Sequence, residues 1–213
     1  MHDLISGLVA ATETTSHALT SFLYYVEKNP IVKQKLQEEL RENGFIKGDK
    51  FKEHMTLENI QNLTYLNCCV KETLRIDSPV LDTFDYVAYE DVEICEVAIP
   101  KGTKMKIDIS TPHFDSSKWA DPFKFVPERH DVEFEFSKMK PNDVVPDTYS
   151  RRAFSHGLRN CPGMSLALLE IKVFMIYFFT HTNVKFEETD LQNEGIGFGL
   201  GSHFSPKVTV SKL

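Results

Sequence analysis

Cys161 sits in the run FSHGLRNCPG, residues 154–163, immediately before a strongly apolar stretch, MSLALLEIKVFMIYFFT. A cysteine just ahead of a helix N-terminus meets unpaired backbone N–H groups and the positive end of the helix dipole. Both favour its thiolate form. Pro162 suits the first turn of the helix that follows. A thiolate held this way is a metal ligand; the plain alternative is a buried free cysteine that acts as a small apolar side chain. The other cysteines are Cys68, Cys69 and Cys95. They form no C-x-x-C pair and no Cys/His zinc spacing, which argues against a cage built from protein ligands alone. Cys68 and Cys69 are adjacent in a helical stretch and cannot readily pair with each other. Free thiols fit a reducing compartment.

Two further groups carry charge or hydroxyls at informative spacing. KETLR, residues 71–75, puts Glu72 and Arg75 three apart, on one face of a helix. FVPER, residues 125–129, adds Arg129. In isolation, E-x-x-R reads as an exposed ion pair worth about 0.2–0.5 kcal/mol. GLVAATETT, residues 7–15, places Thr12, Thr14 and Thr15 within a helical pattern. A hydroxyl inside a helix can bond a preceding carbonyl or admit a water. The alternative is an ordinary helix with hydroxyls on its surface.

Phe154, Gly157, Arg159, Cys161 and Gly163 fall at the spacing F-x-x-G-x-R-x-C-x-G. That pattern resembles the haem-binding loop of the cytochrome P-450 family, in which the cysteine thiolate holds the haem iron. E-x-x-R, P-E-R and the A/G-G-x-D/E-T helix of that family are similar to segments here and come in the same order. The resemblance implies Cys161 as the axial ligand, a position from which a thiolate pushes electron density toward iron and favours O–O cleavage. Gly157 and Gly163 would let the backbone pass close to the flat ring and donate N–H groups to sulfur. Phe154 would cover the sulfur side of the ring, and Arg159 would pair with a haem propionate. Glu72, Arg75 and Arg129 would form a buried charge network behind the loop. Thr14 would stand over the iron on the oxygen side, and Glu13 would feed it protons from solvent through water. His113 is a further candidate for a propionate contact, although a lone histidine is also a common surface or capping residue.

Two departures stand out. Ala11 occupies a position where the family usually has glycine, and its methyl would narrow the oxygen groove. Asp85 stands near the place where the family commonly has an arginine that reaches a propionate. Residues 79–84 would still line the substrate side.

The fold expected from this resemblance is mainly α with small β-sheets, the C-terminal half of the P-450 fold. It covers essentially all 213 residues, and about the second half of a typical family member. Residues 1–213 would form a partial domain with residues 154–163 as its haem-thiolate loop. The N-terminal half would be absent, so the apolar surface of the first helix would lie open. The implied activity is a monooxygenase that inserts one oxygen atom from O₂ into a small apolar organic substrate. Electrons would come from NAD(P)H through a reductase. Two other outcomes stay open: a truncated, non-catalytic remnant, and a haem-thiolate enzyme that rearranges peroxides without a reductase. A full-length eukaryotic parent would imply the endoplasmic reticulum membrane, reached through an N-terminal anchor outside these residues.

Composition sets bounds. Apolar residues make up 41% of the chain, as in folded globular proteins. A net charge of −7 argues against nucleic acid as the main partner. Charge is uneven: over residues 136–163, Lys138, Lys140, Arg151, Arg152 and Arg159 outnumber Asp143 and Asp147. Such a patch would suit an acidic electron donor or simply a solvated loop. The apolar stretch over residues 164–179 is short for a membrane span and carries Glu170 and Lys172. It reads as a buried core helix.

Periodicity predicts one long helix over residues 4–28, ended by Asn29-Pro30, which also starts the next helix. Residues 57–76 read as a helix pair or one broken helix stopping at Asp77-Ser78-Pro79. Residues 80–110 read as short strands, with DVEI and the IPKGT segment forming a pair around a turn punctuated by Pro100 and Gly102. Residues 112–160 read as mostly irregular. The tail reads as a glycine-rich turn, beginning at Gly195, between two closing strands; in the family such a turn touches substrate.

Overall fold

The computed structural model describes residues 2–48, 50–131, 150–187 and 207–213, with side chains from residue 5 onward. The architecture is mainly α with small antiparallel sheets. Helix α1 (His2–Lys28) is followed by α2 (Pro30–Glu42), two short helices α3 (Phe51–His54) and α4 (Leu57–Gln61), and α5 (Thr64–Ile76). After a long connection comes α6 (Met164–His181). α1 packs against α2, α5 and α6, and α5 also packs against α6.

The helices form where apolar residues recur at helical spacing. α2 buries Val32, Leu36 and Leu40, four apart, and turns its charged residues outward. Leu36 is fully enclosed, a burial worth about 1.5–3 kcal/mol for a side chain of that size. Phe22 and Val26 of α1 and Met175, Ile176 and Phe179 of α6 join it in one core. α6 is long and apolar enough to cross a membrane by length and composition alone. One side of it buries Ile171, Met175, Ile176 and Phe179 in the core, while Leu166, Phe174 and Tyr177 stay exposed.

α5 starts without a side-chain cap of its own. Glu39 of α2 supplies one: its carboxylate accepts the N–H groups of Tyr65 at 2.6 Å and Leu66 at 2.8 Å. A carboxylate at that end also meets the positive pole of the helix dipole.

Three two-stranded antiparallel sheets are described: β1 (Tyr86–Val87) with β4 (Lys104–Met105), β2 (Val92–Ile94) with β3 (Val97–Ile99), and β5 (Thr182–Phe186) with β6 (Val208–Lys212). The hairpin turn between β2 and β3 is Cys95-Glu96, because Ile94 pairs directly with Val97. Both turn residues have positive φ, 50° and 64°. Pro100 and Gly102 belong instead to the next turn, which leads into β4. The sequence hid the first turn because neither of its residues is Gly or Asn, the usual occupants of that left-handed pair. The glycine-rich stretch between β5 and β6 falls outside the described residues.

Candidate functional site

The deepest polar cluster is centred on Glu72, 0% exposed, and Arg75, 1% exposed. Arg75 grips the carboxylate with one edge of its guanidinium, Nε to Oε2 at 2.8 Å and Nη2 to Oε1 at 2.9 Å. Arg129 Nε donates to Oε1 at 2.8 Å, and the Val126 N–H to the same oxygen at 2.9 Å. A fourth side chain completes the cluster: His130 Nε2–H donates to Oε2 at 2.7 Å. Sequence reasoning missed His130, although it follows Arg129 directly. Only the 3-10 turn Pro127–His130 brings both side chains back onto one carboxylate.

The electrostatics follow from that geometry. Burial alone would raise Glu72, but the hydrogen bonds from Arg75 and His130 overcome it and hold the carboxyl well below the usual range. Burial lowers His130 to about 4, so its ring is neutral at pH 7. Arg151 Nη1 lies 3.3 Å from Nδ1, which must accept, so the proton sits on Nε2 and points at Glu72. Arg75 and Arg129 spend their other N–H groups on carbonyls. Arg75 Nη1 donates to His113 and Pro122, each at 2.7 Å, and Arg129 Nη1 donates to Ala120 at 2.8 Å. Both guanidinium groups also lie over the Trp119 ring, at 5.3 and 5.9 Å.

His113 lies beside the chain that enters the cysteine loop. Its side chain lies in the interior, 1% exposed, in the 3-10 turn Thr111–Phe114. Its Nε2 accepts the Arg152 N–H at 2.9 Å. Burial first, and the Arg75 charge second, lower it to about 4. Neutral His113 therefore ties the charge cluster to the chain just before the loop.

The loop itself turns sharply. The Ser155 N–H donates to the Arg152 carbonyl at 2.7 Å, and the Cys161 N–H to the Phe154 carbonyl at 3.0 Å. Ser155 and Gly157 both have positive φ, 62° and 78°. Phe154 is partly buried against the core. Arg159 is exposed at the end of a short turn, Gly157–Arg159. Cys161 is partly buried, and Gly163 opens α6 as its N-cap residue.

In α1, Glu13 is exposed and Thr14 is partly buried. The Thr14 hydroxyl donates to the Ala10 carbonyl at 2.6 Å, and Thr12 does the same to Leu8 at 2.7 Å. Ala11 and Asp85 are exposed, as is Arg151, while Arg152 is partly buried. Lys138 and Lys140 lie outside the described residues.

The donor set restricts what could bind at Cys161. Among the described residues no three His, Cys, Asp or Glu side chains gather to hold a metal ion. Among the described residues a bare ion at Cys161 would therefore lack the three or more side-chain ligands that such a centre needs. An ion that brings a planar ring of its own needs only the one thiolate. A methyl group on Gly163 would lie 3.9 Å from Cys161 Sγ, so the backbone there passes close to the sulfur. The residues present fit haem.

Residues 1–207 match the sequence model of the family described as Cytochrome P450. The chain belongs to the cytochrome P450 family. It is 37% identical over 166 residues to Cytochrome P450 3A9 of Rattus norvegicus, covering 78% of this chain and 30% of that protein. To Cytochrome P450 3A7 of Homo sapiens it is 35% identical over 176 residues, 83% of this chain and 32% of that protein. To Cytochrome P450 3A19 of Capra hircus aegagrus it is 35% identical over 164 residues, 77% of this chain and 69% of that protein. The chain spans about a third of the length of the rat and human P450s it matches.

Proposed function

We propose that residues 1–213 supply the thiolate loop, the distal helix and the charge network of a haem-thiolate monooxygenase acting on a small apolar organic molecule. The observation that carries this reading is Cys161, a lone thiol ahead of α6 in a glycine-flanked loop, in a chain of the P450 family. Haem bound there supplies O₂ activation, with electrons from NAD(P)H delivered by a reductase.

The chain's own residues have separate tasks. Cys161 would hold the haem iron as a thiolate, with the N–H groups at the start of α6 favouring the anion. Gly157 and Gly163 would let the backbone pass close to the ring. Phe154 would shield the sulfur from water, and Arg159 would pair with a propionate. The Thr14 hydroxyl, now bonded to Ala10, is a donor that can turn toward the distal face, and Glu13 passes it protons from solvent. Ala11 would narrow an oxygen groove beside Thr14. With Asp85 in place of a cation, Arg159 would carry more of the propionate charge. An acidic reductase would dock near the basic residues Lys138, Lys140, Arg151 and Arg152. An endoplasmic reticulum membrane setting belongs to the same proposal.

The test is oxygen accounting. With haem, a flavoprotein reductase, NADPH and an apolar probe under ¹⁸O₂, one labelled atom should enter the product and the other should leave as water. Product formed from an organic peroxide without any electron donor, and none from O₂, would favour the peroxide-rearranging alternative. A protein that stays colourless with added haem would reject the proposal.

A further inference from the structure

Asp77 follows the last residue of α5, with its N–H still bonded to the Thr73 carbonyl at 2.8 Å. This is a poor place for a carboxylate. It faces the negative end of the helix dipole, and at 1% exposure it has little water to compensate. α1 supplies what solvent does not. His17 Nε2 donates to Oδ1 at 3.0 Å, and Ser21 Oγ donates to Oδ2 at 2.6 Å. The two donors are four residues apart and so share one face of α1.

Their position along the helix matters more than their energy. The side-chain hydrogen bonds of Thr12, Thr14 and Ser16 all return to carbonyls of α1 itself. Residues 5–13 are exposed. Among the described residues, His17 is the first side chain from the N-terminal end of α1 to bond another element. Thr14 lies three residues before it and Glu13 four, one turn away. A helix end without tertiary ties frays at little cost, and the point where α1 becomes anchored is this pair.

We propose that His17 and Asp77, with Ser21, form an interhelical pin that positions the α1 turn bearing Glu13 and Thr14 against the end of α5. Asp77 is two residues beyond Arg75, so the pin fastens α1 to the charge network. Its consequence for catalysis rests on the roles proposed above for Glu13 and Thr14; the pin itself does not. His17 and Asp77 are positioning residues, acting through that turn.

Hydrogen exchange measured by mass spectrometry on the whole chain tests this. In D77N, amides of residues 13–17 should exchange roughly tenfold faster, the worth of one hydrogen bond to a charged group. Residues 64–72 should be unchanged. H17Q should act in the same direction and carries the test if D77N fails to fold. The exchanged pair, H17D with D77H, should restore protection, which a merely structural loss of packing would not. In the haem-loaded protein, D77N should lower the fraction of consumed O₂ that ends in product without altering the Cys161-dependent spectrum. Unchanged exchange at residues 13–17, or uniform loosening of α1 and α5 with no recovery in the exchanged pair, overturns the pin. Loss of the thiolate spectrum in the unmodified protein would instead overturn the reading of Cys161 and leave the exchange result standing.

Discussion

Arg75 Nη1 donates to the carbonyl oxygen of His113 at 2.7 Å, and the same histidine's Nε2 accepts the N–H of Arg152. One residue thus joins the charge cluster to the chain entering the cysteine loop. The cluster behaves as a foundation for that loop.

Breaking its centre should be costly. Glu72→Ala leaves Arg75 and Arg129 buried without their carboxylate and should lower stability by about 3–5 kcal/mol. Urea denaturation followed by circular dichroism measures it. A loss below about 1 kcal/mol, the value of a solvent-exposed ion pair, would show that the cluster is not closed to water.

Acid should weaken the fold early. His113 and His130 are each lowered from an ordinary 6.5 to about 4. The unfolded chain therefore binds more protons than the folded one between these values. The stability is present above pH 6.5 and is lost as pH falls from 6.5 through 4, on the order of a few kcal/mol in all. Glu72, also held low, extends the loss further into acid. H130Q keeps a donor for Glu72 while removing one titration, so its stability should fall less steeply over the same range. An unchanged slope would contradict the neutral, buried ring.

These pieces were unequally legible in the sequence. α1, the Asn29-Pro30 break and the α4–α5 pair could be read because apolar periodicity and proline act locally. Glu72 and Arg75 share a helix face by spacing alone. His130, Glu39 and Asp77 could not be read the same way, since their partners are 58, 26 and 60 residues away in sequence. Asp77 did carry a signal: an acidic residue at a helix C-terminus opposes the dipole and demands a donor from elsewhere. His113 looked like a surface or ligand histidine because nothing local reveals burial.

The cap from Glu39 offers a second stability test. Glu39→Ala leaves the Tyr65 and Leu66 N–H groups without their acceptor and should cost about 0.5–2 kcal/mol, the range for a lost helix cap. Glu39→Gln keeps an oxygen acceptor and should cost less. Equal losses in both would contradict capping as the cause.

The β2–β3 turn offers a gain. Glu96 holds a φ of 64°. A left-handed conformation costs an L-residue about 1–2 kcal/mol. Glu96→Gly should raise the melting temperature slightly, part of that relief being offset by the greater freedom of glycine in the unfolded chain. A lower melting temperature would show that the glutamate side chain contributes more than its backbone costs.

The central claim is that the Cys161 sulfur binds haem iron as an anion. The direct measurement is the absorption spectrum of the haem-loaded protein after reduction and addition of carbon monoxide, compared with Cys161→Ser. The account predicts a strongly red-shifted main band in the unmodified protein and none in the variant. A histidine-type band, or a red-shifted band that survives the substitution, would contradict it.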